Sequence, residues 1–279
     1  MEILGTLILT TAIAGVLGTG MGGLIGALLQ RDSSRTVSLL LSFAGGVMLS
    51  VVCFDLVVEA LGTGMGLDFA IFSIALGVAI TFGFNYLIDR KTNPELPHID
   101  EHHPKTADSL DELIHADHYE HHHANHDSKM SLFVAGVVMA CAIALHNVPE
   151  GMTIGASYAG NEGTLGSAAL VLAVLIGLHN IPEGMAVSVP LITGGMGRVK
   201  AVLLTAASGI PTILGALLGF WLGEIGAFGL TLSLGFASGA MLYVVFGEIL
   251  PQAILMYTSK LPAFSAIAGM LVGLLIIFG

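Results

Sequence analysis

Eight stretches of this chain are each apolar over enough residues, about 20, to cross the hydrocarbon core of a bilayer. They fall at 3–29, 36–61, 67–88, 130–157, 164–191, 201–222, 227–250 and 261–278. Glycine-rich breaks such as GTGMG (62–66) and AGNEG (159–163) separate them. Inside lipid the backbone must satisfy its own hydrogen bonds, so open apolar runs of this length read as helices. The expected fold class is all-α: a polytopic membrane protein of eight transmembrane helices. Composition agrees, with 54% of the 279 residues hydrophobic and 10% charged, where a soluble domain carries roughly 25% charged residues. Residues 1–279 read as a single transmembrane domain that includes one long polar loop, 89–129. Glu2 and the lack of a basic leader make the first run a span and not a cleaved signal.

The charges orient the spans. The nine basic residues are Arg31, Arg35, Arg90, Lys91, Lys105, Lys129, Arg198, Lys200 and Lys260. All follow span 1, 3, 5 or 7, and none follows span 2, 4 or 6. The positive-inside rule makes the odd-numbered loops cytoplasmic and places both termini outside a cell membrane. The net charge of −11 says little about partners, because ten of the twenty acidic residues sit in the 89–129 loop. With no basic patch, nucleic acid is excluded as a partner. Cys53 and Cys141 lie in apolar runs and are expected to pack as small apolar groups.

Two relationships along the chain indicate internal symmetry. SFAGGVMLSVVCFDLVVEA (42–60) and GFASGAMLYVVFGEILPQA (235–253) share eight of nineteen positions at a constant offset of 193. LHNVPEGM (145–152) recurs as LHNIPEGM (178–185). Spans 2 and 7 run in opposite directions, as do spans 4 and 5. Such pairs suggest an inverted-topology repeat, an architecture that places its substrate site near mid-membrane at the repeat interface. Gly18, Gly22 and Gly26 in span 1, and Gly215, Gly219 and Gly223 in span 6, stand four apart and read as helix-packing rows.

The duplicated motif carries the chemistry. A charged side chain at a helix centre in the membrane costs roughly 2.5–3.5 kcal/mol on an insertion scale, so such groups must face one another or a hydrated path. His146 and Glu150 stand one turn apart on one face, as do His179 and Glu183. Asn147 and Asn180 look about 100° further round. Two antiparallel helices of this kind can converge two imidazoles and two carboxylates on one point. That set balances a divalent cation and suits zinc or a first-row relative. Pro149 and Pro182 should bend their helices and free the carbonyls of Leu145 and Leu178. The bland alternative is an intrahelical His–Glu hydrogen bond that happens to be duplicated.

HNVPEG and HNIPEG on successive spans resemble the signature of the Zrt/Irt-like (ZIP) metal transporters. The resemblance covers essentially the whole chain: eight spans, outward termini and a His-rich loop after span 3. It is nearest the prokaryotic zinc-uptake and GufA-like branch. It implies no enzyme activity but movement of divalent metal into the cytoplasm, Zn2+ first among Fe2+, Mn2+, Cd2+, Co2+ and Ni2+. By motif position it implies one site of His146, Glu150, His179 and Glu183, and a neighbouring one using Asn147, Asn180 and the shared glutamates. Many members carry a span 6 glutamate in a pattern like S-G-x-x-E-P. Here SGIPTILG (208–215) puts Thr212 at that place, which puts the second site in doubt.

The expected mechanism is alternating access about a site between spans 4 and 5. The alternative is a metal-selective channel with the same site as its filter. A metalloprotease would need H-E-x-x-H, which is absent from the sequence. Asp55, near the outer end of span 2, and its repeat counterpart Glu248, near the inner end of span 7, are candidate pathway carboxylates. Met48, Met152, Met185 and Met241 are assigned to packing or a gate. The 89–129 loop holds nine of the eleven histidines. His115, His118, His121, His122, His123 and His126 make its densest tract, a candidate cytoplasmic metal buffer in a disordered segment. The partners expected are divalent metal ions and the lipid bilayer, with a homodimer left open.

Overall fold

A computed structural model describes residues 2–28, 34–92, 128–160 and 167–279. The His-rich tract with His115, His118, His121, His122, His123 and His126 lies outside these residues, as do most of the AGNEG break and Arg31. Among the described residues there are helices and turns and no β-strand. Eight helical stretches among the described residues are long and apolar enough to span a membrane. They are Ile3–Leu28, Arg35–Gly62, Leu67–Leu87, Gly136–Ala159, Ala169–Thr193, Arg198–Glu224, Ala227–Met256 and Leu261–Phe278, called spans 1 to 8 below. Gly64 and Gly66 (φ 83° and 92°) make the turn between spans 2 and 3, a backbone that glycine alone adopts without steric cost.

Glycine sets the packing. Small residues let two backbones approach within van der Waals range, and such packing, more than any hydrophobic force, holds helices together in lipid. A Cβ added at Gly22 would fall on the Ile181 carbonyl and one at Gly184 on that of Thr19, so spans 1 and 5 touch backbone to backbone. Gly151 and Gly155 of span 4 meet the Thr212 and Ala216 carbonyls of span 6, and Gly215 and Gly219 return the contact to Val148 and Met152. Gly46 and Gly269 join spans 2 and 8, and Gly77 and Gly239 join spans 3 and 7.

These pairings follow one rule. Exchanging 1 with 6, 2 with 7, 3 with 8 and 4 with 5 turns pair 1–5 into 6–4, and pair 2–8 into 7–3. The packing thus has the symmetry suggested by the two sequence matches. Spans 1 and 6 also cross closely, since an added Cβ at Gly15 would strike Thr212 and the Gly209 carbonyl. Spans 4 and 5 lie between these two and spans 2 and 7, with span 5 against span 2 and span 4 against span 7. No glycine among the described residues makes a backbone-close contact across those last two faces.

The helices are irregular where the sequence did not indicate it. Span 2 contains a π-helical segment, Val52–Leu56, and span 7 another, Val245–Ile249. Their starts differ by 245 − 52 = 193, the offset of the sequence match. A third, Ile13–Leu17, interrupts span 1, and span 6 breaks into a turn at Gly209–Ile210 before Pro211. Spans 4 and 5, by contrast, remain continuous helix through Pro149 and Pro182. Leu145 and Leu178, whose carbonyls the prolines release, are exposed on the outer surface of the bundle.

Met48, Met152, Met185 and Met241 are all buried, as packing residues should be. Cys53 and Cys141 are exposed, contrary to expectation. An apolar span has a lipid-facing side where a small thiol needs no protein cover. The many exposed leucines and phenylalanines, such as Leu9, Leu17, Phe82 and Phe246, share that outer surface.

Candidate metal centre

The motif residues come together in the interior. His146, Asn147, Glu150, His179, Asn180 and Glu183 are each at most 4% exposed, with no bilayer counted. Spans 4 and 5 are antiparallel neighbours, so the His–Glu face of one confronts that of the other. The polar contacts are crossed. His146 Nε2 lies 3.2 Å from Glu183 Oε2, and His179 Nε2 lies 2.9 Å from Glu150 Oε1. Each imidazole therefore pairs with the carboxylate of the opposite helix and not with the one a turn away on its own. This removes the intrahelical reading of the duplicated motif.

Ligand atoms of His146, Glu150 and Glu183 all lie within 4.8 Å of one another, close enough to share one ion. His179 reaches this group through Glu150. Several polar side-chain atoms here are buried without a hydrogen-bond partner: Glu150 Oε2, Glu183 Oε1, and Nδ1 of both histidines. Buried polar atoms rarely go unmatched, and a set of imidazole nitrogens and carboxylate oxygens is what zinc and its first-row neighbours bind.

The asparagines do something else as well. Asn147 Nδ2 donates to the Ser208 carbonyl of span 6 at 2.8 Å, and Asn180 Nδ2 to the Ala14 carbonyl of span 1 at 3.2 Å. Both Oδ1 atoms are buried and unpartnered. Thr212 of span 6 is fully buried against Gly15, with its Oγ1 unpartnered.

Asp55 and Glu248 occupy matching positions in the two π-helical segments and are half-buried. Glu59 follows Asp55 by four residues on span 2. The carbonyls of Ala14 and Ser208 escaped the sequence reading. The signal for Ser208 was Gly209 and Pro211, which mark a helix break; nothing comparable marks Ala14.

Eight spans among the described residues, mirrored pairing and a buried histidine–carboxylate cluster able to hold a metal ion define the class as a polytopic membrane protein of the transporter kind. The ZIP zinc transporter family model matches residues 3–279, and the chain belongs to that family, whose members are transporters and not enzymes. Among similar proteins is the zinc transporter ZupT of Chlorobium chlorochromatii, 34% identical over 87% of this chain and 85% of its own. The ZupT of Clostridium perfringens is 31% identical, over 95% and 92%. The zinc transporter ZIPB of Bordetella bronchiseptica is 32% identical, over 86% and 70%.

Proposed function

We propose that this chain carries divalent metal, zinc foremost, into the cytoplasm by alternating access, with His146, Glu150, His179 and Glu183 as the transport site. The observation that carries this reading is the crossed pairing of two buried histidines with two buried glutamates between antiparallel spans. The names of the ZupT and ZIPB relatives favour zinc as the substrate. Asn147 and Asn180 supply the two further oxygens of a neighbouring subsite. Thr212 brings no carboxylate there, so that subsite is the weaker one.

With Nδ1–H kept on each neutral imidazole, the proton shared between Nε2 and the opposite carboxylate is an additional one, held by the pair. Zinc must displace those protons to take both partners as ligands. Two protons and one dication carry the same charge, so the site can exchange one for the other without leaving net charge in the membrane interior. Burial of all four side chains favours a carrier over a channel, because an ion can arrive or leave only when the helices move. The spans most able to separate are those without backbone-close contact: 5 from 2, and 4 from 7.

In the proposed orientation both termini are outside and residues 89–129 cytoplasmic. Asp55 then receives the ion on the outer side and Glu248 assists release on the inner side. The His-rich tract buffers or senses metal in the cytoplasm. The testing experiment is a metal panel in proteoliposomes, comparing wild type with Glu150→Ala and Glu183→Ala. Saturable zinc flux that both substitutions abolish supports the reading. Flux that stays linear with concentration at channel rates would favour the channel instead.

A further inference from the structure

Spans 1 and 6 each contain a break that strands a backbone carbonyl. In span 6, Pro211 has no N–H, and the chain tightens: Ile210 N–H donates to Ala207 O at 3.0 Å, and Thr212 N–H to Gly209 O at 3.2 Å. In a regular helix Thr212 N–H would have served Ser208 O. In span 1 the π-helical turn has a like effect. Gly18 N–H, which a regular helix would aim at Ala14 O, goes to Ile13 O and Gly15 O.

The two stranded carbonyls are the ones that the asparagines reach. Asn147 of span 4 donates to Ser208 O, and Asn180 of span 5 donates to Ala14 O. The repeat exchanges 4 with 5 and 6 with 1, so the two bonds are symmetry mates. A carbonyl only accepts, so each amide must present its nitrogen to the break. That fixes the position of Oδ1, which in both residues is buried and unpartnered.

We propose that Asn147 and Asn180 are positioning residues of the transport site: each ties a motif helix to the stranded carbonyl of a neighbouring span and thereby fixes the orientation of the adjacent histidine. The proposal rests on the transport-site reading above. His146 and His179 are the preceding residues on the same turns, so rotation of either helix moves asparagine and histidine together. A metal drawn between spans 4 and 5 is thus coupled to the breaks in spans 6 and 1. Hydrogen bonds that orient ligands commonly change metal affinity by about 10- to 100-fold when lost.

The test uses Asn147→Asp, which keeps an oxygen but loses the donor, in full-length detergent-solubilised protein. Zinc binding is read by isothermal titration, and backbone exposure by hydrogen exchange. Affinity should fall about 10- to 100-fold, with faster exchange at 209–213 and unchanged exchange at 15–19. Asn180→Asp should give the converse pattern, and carries the test if Asn147→Asp does not fold. Adding Pro211→Ala restores an N–H and lets Thr212 return to Ser208 O, so in Asn147→Asp it should slow exchange at 209–213 without recovering affinity, and in Asn180→Asp it should leave exchange at 15–19 unchanged. Unchanged affinity and exchange in both aspartate variants would overturn the proposal and leave the asparagines as oxygen ligands only. Glu150→Ala is the control. Wild-type zinc binding by that variant would overturn both this proposal and the transport-site reading on which it rests.

Discussion

Glu150 Oε1 lies 2.9 Å from His179 Nε2 on the neighbouring span, and His146, one turn before Glu150, turns instead to Glu183. The two motif helices are therefore joined through their polar groups. A thermodynamic cycle on the metal-free protein reads this directly. His179→Ala with Glu150→Ala, and His146→Ala with Glu183→Ala, should each be non-additive by about 0.5–3 kcal/mol in thermal unfolding. The intrahelical pair His146→Ala with Glu150→Ala should be closer to additive.

Zinc loading should release protons. Because each His–Glu pair shares a proton, binding one zinc should release up to about two. Titrations in buffers of different ionisation enthalpy give the number. It should fall in Glu183→Ala, which removes one pair.

Gly151→Ala should damage the seam between spans 4 and 6. Its new methyl would meet the Thr212 carbonyl, which is backbone and cannot swing aside. Overpacking of this kind costs about 1–3 kcal/mol or more, and the seam also carries the Asn147 bond. Gly62→Ala meets nothing within 4 Å and should stay within about 0.5 kcal/mol of wild type. Thermal unfolding of the two variants in one detergent makes the comparison.

Asp55→Ala should raise the zinc concentration needed for half-maximal uptake more than it lowers the maximal rate, as removal of an outer receiving group would. Glu248→Ala should mainly lower the rate. Uptake by reconstituted protein at graded zinc concentrations separates the two effects. Wild-type kinetics for Asp55→Ala would remove the entrance role.

How far the chain could be read from its residues differs from part to part. Span count and the His–Glu cluster were legible because each leaves a local mark: 20 apolar residues, or polar groups at a spacing of four. The pairing of His146 with Glu183 was not, since spacing says which face a residue shares but not which residue lies opposite. Pro149 and Pro182 drew attention as bends that free a carbonyl, and the chain stays helical through both, with Leu145 and Leu178, four residues earlier, exposed at the bundle surface. Among the described residues the π-helical irregularities fall at Ile13–Leu17, Val52–Leu56 and Val245–Ile249, which contain no proline, and a proline marks the turn at Gly209–Ile210 alone, through Pro211. A π-helical turn gains its stability from neighbouring helices, and so leaves little trace in local sequence. Asn147 and Asn180 were legible as polar groups near the site, but their bonds to Ser208 and Ala14 depend on spans distant along the chain. Cys53 and Cys141 were misread because in lipid an apolar position is as much at home outside the bundle as within it.

X-ray absorption at the zinc edge, on protein loaded with one equivalent of zinc, tests the central claim most directly. The account predicts imidazole nitrogens at about 2.0–2.1 Å together with carboxylate oxygens, and an imidazole signal that weakens in His146→Ala and again in His146→Ala with His179→Ala. A spectrum of oxygen neighbours alone, the same in wild type and both variants, would contradict it.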